Sequence, residues 1–172
     1  MNSTDFHNSI NYGKTGEDIF KEDFLEFMEI HYENVTNCQQ FQVIDTDFKT
    51  KIGTYEIKLS YKDNQKLVIE DYTNNNPDLG PKSYGWFFKS KADLIVFISK
   101  KTHTMIFIPW TKGFKEHYLA IRDRFRLIPN KWSTRQDNGD VWQSAFRVVP
   151  LDAITGYYSI YKKIHKVQGE LF

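Results

Sequence analysis

Asp47, Glu56 and Lys58 are the residues whose types and spacing could do chemistry in this chain. They lie in the stretch DFKTKIGTYEIK, an acid followed by a turn-prone segment and then Glu-x-Lys on an apolar strand. Alternate residues of a strand face the same side, so Glu56 and Lys58 share one face while Tyr55, Ile57 and Leu59 take the other. A hairpin turning near Lys51 and Ile52 sets Asp47 opposite Glu56. Two carboxylates then converge beside one ammonium. Such a group is costly in a core and useful to a hydrolase that employs a divalent metal and a water.

Two other arrangements use the same residues. Asp45 lies two positions before Asp47 and shares its face, so a slip of hairpin register makes Asp45 the partner of Glu56. Alternatively, Asp47, Glu56 and Lys58 form an exposed ladder of cross-strand ion pairs, each worth about 0.2–1 kcal/mol.

The pattern resembles the PD-(D/E)XK nuclease superfamily, which has the restriction-endonuclease-like fold. Asp47 matches the family's Asp, Glu56 and Lys58 match its E-x-K, and Glu17 matches a Glu on the helix before the first core strand. Thr46 stands where many members have Pro. The run Ile69 to Tyr72, then Gly85-Trp86, then Lys91 to Asp93 before an apolar strand resembles a phage and bacterial subgroup. The resemblance covers Glu17 to Trp110.

What the resemblance implies is an α/β fold, a central mixed β-sheet flanked by α-helices. It implies a magnesium-dependent endonuclease that hydrolyses DNA phosphodiester bonds, structure-selective on junctions or phage DNA. Asp47, Glu56 and the backbone carbonyl of Ile57 would hold Mg2+, with Mn2+ as a substitute. Glu17 would hold a second metal or a metal-bound water, and Lys58 would orient the attacking water and offset charge on the phosphate. Glu70 and Asp45 are secondary candidates. Magnesium suits this work because it prefers hard oxygen ligands and keeps several waters. The implied setting is a bacterial or phage-infected cytoplasm, with DNA as partner and no membrane. A homodimer would suit paired cuts in two strands. The other functional class open to such a chain is a nucleic-acid-binding or scaffold protein that keeps the fold without catalysis, or a subunit active only with a partner.

Contacts to DNA would come from Lys49 and Lys51 at the hairpin tip, from Lys82, Lys89 and Lys91 around an aromatic loop, and from Arg122, Arg124 and Arg126. Contacts of this kind mostly grip phosphates, giving salt-sensitive affinity without sequence choice. Trp86, Phe87, Trp110 and Trp132 could stack on unpaired bases, although a core is the commoner place for them. The net charge is only +1, but it is segregated. Between Thr15 and Val35 seven acids face Lys21 alone, and between Thr111 and Arg135 seven bases face Glu116 and Asp123. Local fields of this kind act on partners even when the total is near zero.

With 172 residues, 40% hydrophobic and 26% charged, the chain suits one soluble domain with a real core. We expect a flexible segment over residues 1–14 and a single domain over 15–172, its core at about 15–128 and a C-terminal extension over 129–172. The single Cys38 excludes an intrachain disulfide and a cysteine zinc site. The five histidines have no metal-ligand spacing. No phosphate-binding glycine loop, dinucleotide fingerprint or H-E-x-x-H occurs. Met1 to Ser9 lacks an apolar signal core, and no apolar run is long enough to span a membrane.

The elements that must position the candidates read as follows. A helix starts at Thr15, whose Thr-Gly-Glu-Asp resembles a capping box, and buries Phe20, Phe24, Phe27, Met28 and His31. Strands are expected over Phe41 to Phe48, Thr54 to Tyr61 and Lys66 to Glu70, followed by a loop over Asp71 to Ser83. A short helix spans Gly85 to Lys91, and Leu94 to Ser99 is a buried central strand with Thr104 to Pro109 as its antiparallel neighbour. A helix spans Lys112 to Phe125, a loop Lys131 to Val141, a strand Phe146 to Val149 and a short helix Ala153 to Lys163.

Overall fold

The apolar run Leu94–Ser99 is the central strand of the structure, a computed structural model that describes residues 13–42, 44–60, 66–74, 83–130, 133–134 and 141–163. It is β6 of a six-stranded mixed sheet. Along the chain that sheet takes β1 (Tyr32–Asn34), β2 (Phe48–Thr50), β3 (Gly53–Ser60), β6, β7 (Met105–Pro109) and β12 (Ser159–Tyr161), and they lie side by side in that order. Only β3 and β6 pair in parallel; the other neighbours are antiparallel. A parallel pair demands a crossover. Here it carries β4 (Lys66–Asn74), β5 (Ser83–Tyr84) and the helical turn α3 (Trp86–Lys89).

Both faces of this sheet are covered, which is why β6 reads as a continuous apolar run. On one face Val96, Ile98, Met105, Phe107, Tyr55, Ile57 and Phe48 meet Ile19, Phe20 and Leu25 of helix α1, residues 13–26. On the other, Ile95, Phe97, Ile106 and Ile108 meet Phe87 of α3 and Phe114, Tyr118 and Ile121 of α4 (Lys112–Ile121). Those three α4 residues recur at helical spacing, and the Thr111 hydroxyl caps the helix by accepting from the Phe114 amide at 3.2 Å.

A second, four-stranded antiparallel sheet has the order β5, β4, β11 (Ala145–Pro150), β8 (Leu127–Pro129). Leu67 and Ile69 of β4 and Val149 of β11 enter the same core as α4, joined by Leu151 and Ile154. A small hairpin of β9 (Ser133–Thr134) and β10 (Val141–Trp142) completes the strands. The chain is thus mixed α/β, with a large mixed sheet flanked by helices. Among the described residues no helix is long and apolar enough to cross a membrane.

The structure departs from the sequence expectations at several elements. The first helix is already formed at residue 13, so Thr15 is not its cap. Its last stretch, Lys21–Glu26, winds as a π-helix, and the chain leaves the helix through Glu29 at φ 56°. That exit breaks the helical period, so Phe27 and Met28 are half exposed and His31 is exposed rather than buried. Phe41 to Phe48 is not a strand: Gln39–Gln42 form a helical turn, α2, and Asp45 takes a left-handed conformation at φ 47°. β4 continues to Asn74, four residues beyond the expected end, because β5 and β11 give it partners. The fourth helix gives way to a 3-10 turn over Arg122–Arg124. Ala153 to Lys163 is not a helix but the end of a 3-10 turn, Leu151–Ile154, followed by edge strand β12. Residues 1–12, and most of the expected loops over 71–83 and 131–141, lie outside the described residues.

Candidate active site

β2 and β3 form a hairpin that turns at Lys51 and Ile52 and pairs Phe48 with Tyr55, Lys49 with Thr54 and Thr50 with Gly53. Gly53 takes φ 151°, which favours glycine at the exit of that turn. Continued by one step, the register sets Asp47 opposite Glu56. The Asp47 amide donates to the Tyr55 carbonyl at 2.8 Å, and its Oδ2 accepts from the Ile57 amide at 2.8 Å. Asp45 stands outside this ladder. Asp93 anchors the start of β3, where its Oδ2 accepts from both the amide and the hydroxyl of Thr54 at 2.8 Å.

Tyr55 and Ile57 enter the core beneath α1, so Glu56 and Lys58 project from the opposite face. There they stand level with Ile95 and Phe97 of β6, in a row that the neighbouring strands fill with apolar side chains. Glu56 is 5% exposed, and its Oε1 accepts from the Lys58 ammonium. Burial pushes the Glu56 carboxyl up to about 7, against the pull of Lys58 and with Asp47 adding to the rise. Burial likewise raises Asp47 to about 6, opposed by the Ile57 amide and by Lys58, and reinforced by Glu17 and Asp45. For Lys58 burial favours the neutral amine, but Glu56, Asp47 and Asp45 outweigh it and hold the ammonium above its usual range.

Three further carboxylates surround this pair. Glu17 of α1 is held by the Thr36 hydroxyl at 3.0 Å; burial raises its pKa, and Glu56 is among the charges that add to the rise. Asp45 is raised by burial despite Lys58 and Lys89. Glu70 of β4 is also raised by burial, although the Trp86 amide, Lys58 and Lys89 draw it down. The Trp86 amide lies 3.4 Å from Glu70 Oε2, and the Lys58 ammonium lies 5.1 Å from the centre of the Trp86 ring. Gly85 makes this approach possible: a side chain there would overlap the Glu70 carbonyl and come within 2.8 Å of Glu70 Cγ. All the candidate acids and Lys58 therefore belong to one electrostatic neighbourhood, drawn from α1, the turn before β2, the β2–β3 hairpin and β4.

This donor set fits a hard divalent cation. It consists of carboxylate oxygens whose mutual repulsion and burial disfavour their charged forms, a strain that a divalent charge would relieve. Among the described residues no three acidic, histidine or cysteine side chains already stand at coordination distance from a common point. An ion would have to draw the acids inward.

The residues expected to touch DNA are spread more widely. Lys51, Lys89, Lys91, Arg124 and Arg126 are exposed. Lys49 is exposed but lies 3.6 Å from Glu33. Arg122 is not a free phosphate ligand, because its guanidinium stands 3.7 Å from the fully buried Asp71 and 5.7 Å from the centre of the Phe88 ring. Phe87 and Trp110 are core residues, while Trp86 is half buried. Lys82 and Trp132 lie outside the described residues.

Sequence reasoning missed the group that holds β4 in place. Phe146 of β11 pairs with Glu70 and Ala145 with Tyr72, so Asp71 is the extra residue of a β-bulge. It accepts from the Tyr118 hydroxyl at 2.7 Å and from Arg147 Nε at 2.8 Å. Arg147 also donates to the carbonyls of Arg122 and Phe125 and to Asp123. An acid beside Glu70 in an apolar strand was the available signal; its partner is 76 residues away in the chain.

Comparison with protein-family models, with curated proteins and with solved structures gives no match to this chain.

Proposed function

We propose that the chain is a divalent-metal-dependent deoxyribonuclease with a restriction-endonuclease-like core. The observation that carries this reading is the acidic ring around Lys58: Glu56, Asp47, Asp45 and Glu70 all act on one ammonium, in a row of the sheet that adjoining strands fill with Ile95 and Phe97. An arrangement this costly is retained where it serves chemistry more readily than where it serves stability.

In this reading Asp47, Glu56 and the Ile57 carbonyl hold the ion, and the Ile57 amide fixes Asp47 for that task. Magnesium, when bound, supplies charge for the scissile phosphate and lowers the pKa of a coordinated water. Lys58 orients the nucleophile and offsets the charge that develops on the phosphate oxygens. Glu56 keeps Lys58 charged and in place. Glu17, which acts on Glu56 and Asp47, would hold a second metal or a metal-bound water, and Glu70 helps to position Lys58. Lys49, Lys51, Lys89 and Lys91 grip the phosphates that flank the cut.

The test is cleavage of labelled linear, nicked, single-stranded and four-way-junction DNAs in magnesium and in manganese, with Lys58→Ala alongside. Metal-dependent cuts that disappear in the variant support the reading. A folded protein that cuts none of these DNAs, or a Lys58→Ala protein that cuts as well as the parent, overturns it.

A further inference from the structure

One exposed surface borders the acidic cluster and has no part in the chemistry described so far. Tyr84 is 57% exposed and Phe88 36%, both large rings with substantial area in water. Their centres are 4.8 Å apart with the rings tilted by 48°, and Tyr84 also meets Tyr72 at 6.4 Å with an angle of 21°, so Tyr84 touches both other rings. The three rings thus form a row. Cations line it: Arg122 covers Phe88 at 5.7 Å, and the exposed Lys89 donates to the Thr73 hydroxyl at 3.2 Å.

The row is joined to the cluster by its own backbone. Tyr72 follows Glu70 by two residues on β4, and Phe88 follows Trp86 by two residues on α3. Trp86 in turn contacts Glu70 through its amide and Lys58 through its ring. Lys89 acts on Glu70 and on Asp45. Through Lys89, which is bonded beside Tyr72 at Thr73, the ring patch and the acids share one cation.

We infer that Tyr72, Tyr84 and Phe88 form a stacking platform for unpaired bases, and that the substrate is DNA carrying a single-stranded segment next to the bond to be cut. The inference rests on the nuclease reading for the meaning of the adjoining cluster. Exposed aromatic rings beside an exposed lysine, Lys89, suit a strand that offers both bases and phosphates. In a duplex the faces of the bases are covered by their neighbours, about 3.4 Å apart along each strand. Arg122 stands over Phe88 and 3.7 Å from the buried Asp71.

The test is equilibrium binding by fluorescence anisotropy in EDTA, where cleavage plays no part. Three labelled DNAs are compared: a blunt duplex, the same duplex with a short single-stranded tail, and that duplex with an abasic tail. The tailed duplex is expected to bind roughly 5–100-fold tighter than the blunt one, the gain of about one stacked base. The abasic tail, with the same phosphates and no bases, is expected to lose that gain. Tyr84→Leu with Phe88→Leu, which keeps apolar bulk but removes the rings, is expected to bind tailed DNA no better than blunt. Tyr84→Phe is expected to keep the preference. Equal binding of normal and abasic tails overturns the inference, as does a preference that survives the double Leu substitution, or an absence of binding to every DNA. A dimer in sedimentation that the double substitution dissolves also overturns it, because a second copy would then be the occupant. Cleavage without a tail preference sinks only this inference; a tail preference without cleavage in magnesium sinks only the nuclease reading.

Discussion

The carboxylate of Asp47 accepts the amide hydrogen of Ile57 at 2.8 Å, so the acid that precedes β2 is bonded to the residue standing between Glu56 and Lys58. This hydrogen bond holds the Asp47 carboxylate beside β3 in a hairpin whose register sets it opposite Glu56. Asp47→Asn keeps an acceptor for that amide and is expected to melt close to the parent. Asp47→Ala leaves the amide without its partner and is expected to lose about 1–2 kcal/mol in urea unfolding. Both variants are expected to lose the rise in melting temperature that magnesium gives the parent. A magnesium shift that persists in Asp47→Asn would remove this residue from the metal site.

Lys58 is the cation to which Glu56, Asp47, Asp45 and Glu70 all couple. Lys58→Met preserves length and removes the charge, leaving Glu56 buried beside other acids. Without metal it is expected to be about 1–3 kcal/mol less stable, less than a fully stranded charge because Glu56 can take up a proton. Magnesium is expected to raise its melting temperature by more than it raises that of the parent, while DNA cleavage falls at least ~100-fold. Calorimetric melts with and without magnesium, paired with a cleavage assay, check both halves.

Asp71 is fully buried, bonded to Tyr118 and Arg147, and 3.7 Å from Arg122. Asp71→Ala takes away the buried partner of Arg147 and is expected to cost at the low end of about 3–5 kcal/mol, since Asp123 and two carbonyls still hold the guanidinium. Arg147→Met is expected to cost a similar amount. The double variant should cost clearly less than the sum, because each single change already strands the other's charge. Additive losses in a urea double-mutant cycle would show that the two residues act independently.

Asp23 contributes a pH dependence opposite in sign to that of the raised acids Glu56 and Asp47. Burial would raise its pKa, but hydrogen bonds from Lys163 at 2.9 Å and from His103 at 2.6 Å outweigh that and hold it below its ordinary value. A carboxyl whose folded pKa lies below its unfolded one binds fewer protons when folded. Its stabilisation is present above the unfolded pKa, about 3.9, and is lost as pH falls through the folded value. Asp23→Asn is therefore expected to be less stable than the parent at pH 6, with the difference shrinking as the pH drops below about 4. Urea midpoints across that range decide it; a constant gap would mean that the carboxylate charge is not what stabilises the clasp.

The hairpin register was legible because its signals are local. Gly53 and the alternation from Tyr55 to Leu59 determine which residues face together, and the structure places Asp47 and Glu56 level as that reading required. The strand expected over Phe41 to Phe48 failed because its mixed pattern of apolar and polar residues does not reveal the left-handed turn at Asp45. Phe27 and Met28 were misread because a helical period carries no notice of the exit at Glu29. Glu70 was singled out as a secondary candidate, yet its route to the cluster was hidden. β4 is held there by β11 and α3, and those contacts join distant parts of the chain. Lys49, Lys51 and Arg124 could be named as basic and exposed, whereas the tie from Arg122 to Asp71 depends on a bulge that no periodicity announces.

The parallel pairing of β3 with β6, and the dependence of β4 on β11, set an order in time. The β2–β3 hairpin can close on its own within about 1–10 μs. Glu70 and Trp86 reach it only after the crossover has closed, and β4 lacks one of its two neighbours until Ala145–Pro150 has been synthesised. At about 5–20 residues per second, Val149 leaves the ribosome's catalytic centre roughly 4–16 s after Glu70. A chain still being translated therefore carries every acid of the cluster long before it carries the wall behind Glu70, and the site is completed only once β11 has been made.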